Sequence, residues 1–276
     1  MTDIDPRAFD EFEAAGWELV ADRYYELLSP ITGMAIEPLL DAAGIRAGMR
    51  VLDVGTGPGT AAAGAATRGA QATGIDIAPA MIEIAAQRHP DPEFVQGSAT
   101  ELPFADGSFD AAVGNIVIQH VGEPERAADE LARVLVPGGR VALSTWDVPE
   151  RSPLFAALIG AVDDAKVPPP NEVPHGPSFF QFGEDDVFRA LLLGAGFADV
   201  QIGSFALDFP LHSADELLNI IAEGTVRMAA LLQAADDSQR AKMRASLERR
   251  IEPWRRGDGY AVPAPVKMAA GTKPGR

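Results

Sequence analysis

A run of glycines directly after a short apolar stretch is the part of the chain best suited to binding chemistry. Residues 51–60 read Val-Leu-Asp-Val-Gly-Thr-Gly-Pro-Gly-Thr. Val51–Val54 predict a buried strand, and the small residues at 60–66 predict a helix. Glycine tolerates positive φ and has no Cβ to collide with a ligand. The order strand, glycine turn and helix therefore predicts a site for a nucleotide-like ligand.

The spacing of these glycines narrows the choice of ligand. Gly55, Gly57 and Gly59 form G-x-G-x-G, and Thr60 stands where the G-x-G-x-x-G turn of dinucleotide enzymes has its third glycine. Asp53 would repel a pyrophosphate but would suit a ligand that carries an ammonium group. The alternative, a generic glycine turn of an α/β protein, is disfavoured because a second element supports the site downstream.

That second element is an acidic residue at the end of another apolar strand. Asp76 follows the strand predicted at 72–75 and lies about 20 residues beyond the glycines, where such folds place a ribose-binding acid. Asp76 would also suit the N-cap of a helix that begins near Pro79. The two roles are compatible, and we favour ribose binding.

Short apolar runs alternate with helical stretches along the chain, as in a doubly wound parallel sheet. Strands are predicted at Val51–Val54, Ala72–Ile75, Glu93–Val95, Ala111–Val117, Arg140–Thr145, Val200–Phe209 and near Val266–Ala270. Helices are predicted at 9–27, 34–43, 60–67, 79–89, 124–135, 152–166, 184–193 and, as one helical stretch, 214–251. The residues at 137–139, Pro-Gly-Gly, are predicted to turn the chain into the fifth strand.

Five motifs make the chain resemble class I S-adenosylmethionine (SAM)-dependent methyltransferases of the ubiquinone/menaquinone-biosynthesis type (methyltransferase domain 11-like). They are VLDVGTGPGT (51–60), GIDIAPAMIEIA (74–85), ELPFADGSFDAAVGNIVIQHV (101–121), ELARVLVPGGRVALSTW (130–146) and LLLGAGFADV (191–200). Together they are specific for SAM and say little about the molecule that is methylated.

The resemblance implies one domain over residues 1–276, built on a Rossmann-like α/β fold. Its seven-stranded sheet would be mostly parallel with an antiparallel last strand, and a helical cap would cover the site. Within it, we expect an N-terminal helical lid at 1–48 and a SAM-binding core at 49–147. Acceptor-binding cap insertions are expected at 148–183 and 211–260.

The resemblance also implies SAM as the cofactor and S-adenosylhomocysteine as the product. The cofactor-binding candidates are Tyr24, Tyr25, Asp53, Gly55, Gly57, Gly59, Asp76, Ile77, Met81, Ser98, Ala99 and Asn115. Asp53 would favour the ammonium, directly or through water, and Asp76 would hold the ribose. On the lid, Tyr24 or Tyr25 would lie near the carboxylate, and only one of them is expected to do so because adjacent helical positions diverge.

The remaining cofactor candidates lie beside the adenine and the methionine part. Ile77 and Met81 would flank the adenine ring, although core packing explains them equally well. Ser98 stands where many relatives carry a carboxylate that meets the adenine amino group, and Ala99 would offer its backbone N–H. Asn115, near the end of the fourth strand, is expected to contact the methionine part.

His120 is the candidate catalytic base, because an imidazole can take a proton from a phenol or enol near pH 7. The alternative is a structural histidine at the end of a strand. The candidates for the acceptor pocket are Trp17, Gln119, Trp146, Phe179, Phe180 and Phe182. An aromatic, mostly apolar lining would suit a flat or greasy small molecule, although core packing is a rival explanation for each residue.

Composition limits the partners. The net charge of −17 opposes binding to nucleic acid or anionic lipid, because phosphate contacts need Lys and Arg. The 276 residues include no cysteine, so neither a disulfide framework nor a thiolate metal site is expected, and no metal is predicted. The acidic N-terminus does not resemble a signal peptide, and no apolar run is long enough for a membrane span. We expect a cytoplasmic protein without membrane insertion, and a homodimer stays open as an alternative to a monomer.

These observations predict a methyltransferase that acts on oxygen or carbon of a small, largely apolar or aromatic metabolite, such as a quinone precursor, a polyketide or another secondary metabolite. Two other classes stay open. A SAM-binding regulator or scaffold would share the motifs without catalysis. An NAD(P)-dependent oxidoreductase is disfavoured by the glycine spacing and by Asp53.

Overall fold

A central sheet of seven strands and a smaller sheet of three form the β structure of the computed structural model, which describes residues 5–170 and 173–275. The strands are β1 Arg50–Val54, β2 Gln71–Asp76, β3 Glu93–Gln96, β4 Phe109–Gly114, β5 Leu135–Trp146, β6 Ala198–Phe205, β7 Asp208–Leu211, β8 Arg255–Arg256, β9 Gly259–Pro263 and β10 Val266–Thr272.

Helices lie between most of the strands and before the first. They are α1 Pro6–Leu27, α2 Ser29–Thr32, α3 Ile36–Ala42, α4 Thr60–Thr67, α5 Pro79–Arg88, α6 Pro124–Val134, α7 Pro153–Ala165, α8 Asp185–Gly194, α9 Ala214–Gly224, α10 Arg227–Gln233 and α11 Asp237–Ile251. Short 3-10 helices occur at Gly33–Ala35, Ile118–His120, Pro149–Arg151, Gln181–Gly183 and Glu252–Trp254.

The strand order of the large sheet is β3-β2-β1-β4-β5-β10-β6. The first five strands in this order pair in parallel, and β10 pairs antiparallel with both β5 and β6. The predicted mostly parallel seven-stranded sheet with an antiparallel last strand is therefore confirmed. From β1 the chain proceeds to β2 on one side, whereas β4 lies on the other, so the carboxyl ends of β1 and β4 form the crevice where open α/β sheets bind ligands.

The apolar run of β1 is explained by burial on both faces of the sheet. Val51 belongs to one hydrophobic core, whereas Leu52 and Val54 belong to the core on the opposite side. Alternate residues of a strand point to opposite faces, so a strand covered by helices on both sides must be apolar throughout. Burying both faces fixes the position of the glycine turn that follows Val54.

Two predicted elements are divided in the structure. The strand predicted at 200–209 is two strands, because the chain leaves β6 of the large sheet and enters β7 of the small sheet, ordered β7-β9-β8. The helical stretch predicted at 214–251 is α9, α10 and α11. Helix α9 ends before the extended Thr225, and Asp236 begins α11 with a capping box.

Two further differences concern strands β4 and β5. Strand β4 ends at Gly114, three residues earlier than predicted, because Ile116 adopts a left-handed φ of 54° that no strand accommodates. The Pro-Gly-Gly segment at 137–139 lies inside β5, where the register with β4 shifts. The predicted turn is therefore an irregularity within the strand.

The N-terminal helix lies across the sheet edge that bears the glycine turn. Helix α1 packs against α5 and α9 and so joins the core to the C-terminal helices. Asp5 caps its N-terminus by accepting a hydrogen bond from Ala8 N at 3.1 Å. Within residues 5–170 and 173–275, no helix is both long enough and apolar enough to cross a bilayer.

Candidate active site

A deep cleft opens at the carboxyl ends of β1, β2 and β4. It encloses about 1350 Å³ of empty space, including the part open to solvent. Helix α1 forms one wall, and residues at the end of α9 and the start of α10 form another. The cleft therefore lies at the edge of the sheet where open α/β folds bind their ligands.

The glycine turn gives the cleft its main-chain floor. A Cβ added to Gly55, whose φ is 62°, would lie 2.8 Å from Val117 Cβ and closer still to its Cγ2. At Gly57, with a φ of 51°, the nearest atom would be Tyr24 Cε1 at 3.9 Å. Gly55 is therefore required by the packing of the turn, whereas Gly57 faces the cleft and lets a ligand approach the main chain. Gly59 is the N-cap of α4 and does not line the cleft.

The carboxylate of Asp53 stabilises the glycine turn by hydrogen bonds to the turn and to α4. Its Oδ2 accepts hydrogen bonds from the Thr56 hydroxyl at 2.6 Å and from Ala62 N, in the first turn of α4, at 2.9 Å. Burial raises the pKa of Asp53 to about 7. Its Oδ1 is buried and has no hydrogen-bond partner among the described residues. Asp53 does not line the cleft itself, so an ammonium group or a water would have to reach Oδ1 through the turn.

Asp76 lines the cleft at the end of β2. Its Oδ2 accepts a hydrogen bond from Gly57 N at 2.8 Å, and its Oδ1 accepts one from Ala78 N at 3.0 Å. Burial raises the pKa of this carboxyl. The N-cap of α5 is Ala78, so the alternative role of Asp76 as that N-cap is not observed. Each oxygen keeps a lone pair, and the carboxylate can still accept from two vicinal hydroxyls.

The side chains predicted around an adenine ring lie together on the cleft wall next to Asp76: Ile77, Met81, Ser98 and Ala99. Met81 is buried and packs in a small core with Ala21 and Ala78. The Ser98 hydroxyl lies 2.9 Å from the Thr100 hydroxyl and accepts a hydrogen bond from Thr100 N at 3.2 Å. Ser98 thus has local partners and can present one remaining position to a ligand.

The two neighbouring tyrosines of α1 diverge. Tyr24 lines the cleft, and its hydroxyl lies 3.1 Å from Thr32 Oγ1. Burial raises the pKa of Tyr24. Tyr25 instead lies under the guanidinium of Arg88, whose Cζ is 4.7 Å from the ring centroid. Only Tyr24 is therefore placed where a cofactor could contact it.

Asn115 connects the end of β4 to the N-terminal segment. Its Nδ2 donates to Thr32 O at 3.0 Å, and its Oδ1 accepts from the Ser144 hydroxyl at 2.8 Å. Ser144 in turn accepts from the N–H of Ile116 at 2.9 Å. Ile116 is a β-branched residue in the left-handed region, a costly conformation that recurs at functional sites. This network holds the strained turn at the cleft wall.

The other half of the cleft is apolar and aromatic. Of the predicted acceptor-pocket residues, Trp17, Trp146 and Phe179 line it. Sequence analysis missed further apolar lining residues, namely Leu154, Phe155, Phe209, Ile221 and Met228. They come from segments with no recognisable motif, so no signal in the sequence identified them.

The other three acceptor-pocket candidates do not line the cleft. Phe180 packs edge-on against Phe155 at 5.0 Å, and Phe182 is buried against Phe188 in the core. Gln119 is fully buried and bonds to Ile116 O and the Thr145 hydroxyl, each at 3.0 Å. Consecutive residues in this irregular segment and 3-10 helix point in different directions, which composition cannot reveal.

Charged residues form a buried cluster where the two halves meet. His120 lines the cleft, and its Nδ1 lies 3.0 Å from Glu13 Oε2. Arg227 Nε lies 2.9 Å from Glu13 Oε1. Sequence analysis missed both Glu13 and Arg227. Glu13 did carry a signal, because it stands between Phe9 and Trp17 at helical i,i+4 spacing on a face that is otherwise apolar.

Within the described ranges, no three His, Asp or Glu side chains are arranged to hold a metal ion. The cleft offers main-chain N–H groups, an apolar chamber and a set of polar side chains, namely the carboxylates of Asp10, Glu13 and Asp76, the imidazole of His120, the guanidinium of Arg227 and the hydroxyl of Tyr24. This arrangement can bind a polar nucleoside next to an apolar molecule and can move one proton at the junction.

Comparison with known proteins shows which proteins the chain resembles. Residues 52–143 match the model of a methyltransferase domain. Demethylmenaquinone methyltransferase of Beutenbergia cavernae is 36% identical over 156 residues, which are 55% of this chain and 65% of that protein. The enzyme of the same name from Renibacterium salmoninarum is 38% identical over 115 residues, 42% of this chain and 48% of that protein. The chain thus spans between about half and two thirds of these relatives.

Solved structures agree on the fold. A putative methyltransferase from Bacillus halodurans superposes with a TM-score of 0.58 at 20% identity, covering 87% of this chain and 99% of that one. Phosphoethanolamine N-methyltransferase 2 of Haemonchus contortus, in complex with S-adenosyl-L-methionine, superposes with a TM-score of 0.59 at 18% identity, covering 96% and 60%. Residues 52–143 therefore match a methyltransferase domain, in agreement with the predicted resemblance, and the chain has the Rossmann-like fold of these solved methyltransferase structures.

Proposed function

We propose that the protein is a SAM-dependent methyltransferase, which transfers the methyl group to oxygen or carbon of a small, uncharged, largely apolar or aromatic metabolite. One observation carries the proposal. A single cleft joins the glycine turn and Asp76 on one side to an aromatic chamber on the other. Methyl transfer is an in-line displacement, so it needs a cofactor and an acceptor held in contact more than it needs acid–base groups.

The polar half of the cleft fits SAM. Asp76 would accept from the ribose hydroxyls, and Ile77 and Met81 would flank the adenine. The methionine part would lie along Gly57, near Tyr24. The buried, unpartnered Oδ1 of Asp53 supports this fit, because an ammonium group nearby would supply the missing donor. When bound, SAM supplies an electrophilic methyl on a sulfonium.

The proposal assigns a different role to each part of the chain. The lid at 1–48 would contribute Trp17 and Tyr24, and the core at 49–147 would hold the cofactor. The insertions at 148–183 and 211–260 would wall the acceptor chamber. In support, α1 packs against both α5 of the core and α9 of the second insertion, so the lid lies where it can cover both ligands.

The acceptor class follows from the chamber walls. Trp146, Phe155 and Phe209 offer aromatic surface, and the charges of Glu13 and Arg227 are paired with each other. An anionic acceptor would lose its hydration there with no unpaired arginine or lysine among the described lining residues, whereas a flat apolar one would gain contact area. Two relatives named demethylmenaquinone methyltransferase make a quinone-type acceptor one member of this class.

Titration calorimetry and a product assay test the proposal. The purified chain is titrated with SAM, S-adenosylhomocysteine and NADH, and then incubated with SAM and a panel of quinols, phenols, amines and carboxylic acids. We expect binding of the first two ligands and release of S-adenosylhomocysteine with apolar phenolic or quinol acceptors. SAM binding without product from any acceptor would indicate a regulator, and NADH binding without SAM would indicate an oxidoreductase.

Asp76→Asn tests the cofactor assignment. The substitution removes the charge from a buried acceptor, and each lost hydrogen bond to a charged group costs about 1.5–3 kcal/mol. With two hydroxyls affected, we expect SAM affinity to fall at least about 100-fold. Asp91→Asn, at an exposed aspartate before β3, is the matched control and should leave affinity unchanged. Equal affinities of the two variants would remove Asp76 from the binding site.

A further inference from the structure

A buried carboxylate on the N-terminal helix contacts the candidate base from across the cleft. Glu13 is 2% exposed, and its Oε2 lies 3.0 Å from His120 Nδ1. The two residues are separated by 107 positions, since Glu13 belongs to α1 and His120 to the 3-10 helix after β4. The histidine is therefore held by the lid as well as by the strand that carries it.

This contact defines which ring nitrogen faces the acceptor. An ionised carboxylate can only accept hydrogen bonds, so Nδ1 of His120 must be the protonated nitrogen. The neutral ring then carries its free lone pair on Nε2. In the described part of the chain, the bond to Glu13 is the only hydrogen bond of the ring. His120 also lines the cleft, so the basic nitrogen is available to a bound molecule.

Several groups hold the Glu13 carboxylate in place. Trp17 Nε1 donates to Oε2 at 2.9 Å, and the Arg227 guanidinium lies 2.9 Å from Oε1. Arg227 is anchored in turn, because it donates to Gln119 O at 2.5 Å and to Pro177 O at 3.2 Å. Burial lowers the pKa of Arg227, while Glu13 opposes that effect. Glu13 Oε1 and Arg227 Nε are close but have no hydrogen-bond partner among the described residues, so charge and these anchors, not a hydrogen bond between the two atoms, hold the pair.

The imidazole is also held by aromatic edges. Its ring centroid lies 5.1 Å from that of Trp17 at 83° and 5.6 Å from that of Phe179 at 80°. Both are edge-on contacts, which restrict rotation about the side chain. Position, tautomer and orientation of the ring are thus all set by neighbours from three separate segments.

We infer that Glu13 is a positioning residue that makes His120 the general base of the proposed methyl transfer, and that the acceptor therefore carries a weakly acidic hydroxyl or enol. The inference rests on the proposed function. His120 Nε2 takes the proton from the acceptor as the acceptor atom forms its bond to the methyl carbon. The bond from sulfur to that carbon breaks, its electron pair stays on sulfur, and the imidazolium later releases the proton to solvent.

The placement of Glu13 makes the base conditional on the lid. Glu13 and Trp17 lie on α1, His120 lies on the core, and Arg227 begins α10. The positioning carboxylate and the base therefore come from different elements, and their contact depends on the packing of α1 against α5 and α9.

Nitrogen NMR of the histidine rings tests the inference without an acceptor. The chain has four histidines, and a His120→Asn variant assigns the signal of interest. With S-adenosylhomocysteine present, we expect the Nδ1–H tautomer of His120 in the wild type and a raised share of the Nε2–H tautomer in Glu13→Gln. Glu11→Gln changes an exposed glutamate of the same helix that pairs with Arg7, and it should leave the signal unchanged.

Steady-state kinetics at several pH values are the second test of the inference. The charged groups near His120 are Glu13 and Asp10 from α1, Asp76 from β2 and Arg227 from α10. Removing the Glu13 charge disfavours the imidazolium, so the acid limb of the kcat/KM profile should move to lower pH. General base catalysis contributes about 10²–10⁴-fold, and we expect Glu13→Gln to lose at least about tenfold.

Two catechols of similar shape, one with a nitro and one with a methyl substituent, distinguish a Glu13 that positions the base from a Glu13 that only stabilises the fold. The nitro compound ionises without help, so Glu13→Gln should slow the methyl compound about tenfold more. An unchanged tautomer, or equal losses with both catechols, would overturn the inference.

If Glu13→Gln does not fold, Glu13→Asp gives the same NMR readout, because its shorter side chain falls away from Nδ1. A wild type that binds no SAM would instead defeat the proposed function, whatever the tautomer.

Discussion

The two halves of the cleft are built in different ways. The cofactor half consists of turns that directly follow strands, at 55–57 after β1, at 76–77 after β2 and at 97–99 after β3. The acceptor half is assembled from side chains of distant segments, such as Trp17, Phe155 and Met228. The first half therefore depends on main-chain geometry within short stretches, and the second depends on how whole elements pack.

This difference predicts different responses to substitution. Changes in the cofactor half disturb turns that also connect the sheet, so they should affect folding and SAM binding together. Changes in the acceptor half alter apolar side chains on a surface that the sheet does not need, so they should affect the acceptor alone. The predictions below would each fail if the two halves behaved alike.

Gly55→Ala should have the largest effect. A Cβ there would overlap Val117, at a φ of 62° that L residues avoid. Overpacking and left-handed strain together cost about 3 kcal/mol in the free energy of unfolding. Gly57→Ala is the matched control: φ is similar, but the nearest atom is 3.9 Å away, so about 1 kcal/mol is expected. Urea unfolding measures both. Equal losses would show that the packing of Val117 does not set the requirement at Gly55.

The second largest effect should be the pH dependence of the free energy of unfolding that Asp53 causes. Its pKa is about 7 in the folded state and 3.8 ordinarily, so the folded state binds more protons between these values. Stability from this group is present below pH 4 and is lost as pH rises through 7. Relative to Asp53→Asn, the wild type should lose about 2.5 kcal/mol between pH 5 and pH 8.

Urea unfolding of both proteins at the two pH values checks this prediction. Other carboxyls shift in both directions, so only the difference between the variants isolates Asp53. A parallel pH dependence of the two proteins would mean that Asp53 titrates normally and that burial does not perturb it.

Phe179→Leu should have the smallest effect, on the acceptor side. Phe179 lines the chamber and contacts His120 and Phe180 edge-on. An aromatic contact contributes about 0.5–1.5 kcal/mol, so KM for an aromatic acceptor should rise up to about tenfold while SAM affinity stays the same. Phe180→Leu, next in sequence but outside the lining, should leave KM unchanged. Steady-state kinetics and calorimetry would contradict the comparison if Phe179→Leu weakened SAM binding as well.

Much of the cofactor half was predictable because its signals are local. The apolar run at 51–54 and the glycines after it predict a buried strand and a turn, since burial on both faces and positive φ each leave a mark on consecutive residues. The same holds for Asp76 at the end of β2, which lines the cleft as expected. Asp53 is a less direct case. Its carboxylate accepts hydrogen bonds from Thr56 and Ala62 and does not line the cleft, so local sequence did not reveal its orientation.

The acceptor half and the small sheet were less accessible to sequence reasoning. Strands β7, β8 and β9 are short, and β7 pairs with β9 across about 50 residues of sequence, so no hydrophobic period marks the small sheet. Phe179 and Phe182 have the same composition signal, yet one lines the cleft and the other is core. The direction in which a side chain of an irregular segment points depends on its tertiary contacts and not on its residue type.

The sequence by itself determined the fold, the sheet edge that bears the site and the resemblance to methyltransferases, because strand burial, glycine conformation and motif order are properties of short stretches. Only the tertiary structure decided that Tyr24 and not Tyr25 faces the cleft, and that Glu13, His120 and Arg227 meet. Their meeting depends on the packing of α1 and α10 against the end of β4. Contacts between positions more than 100 residues apart leave no pattern in a single chain.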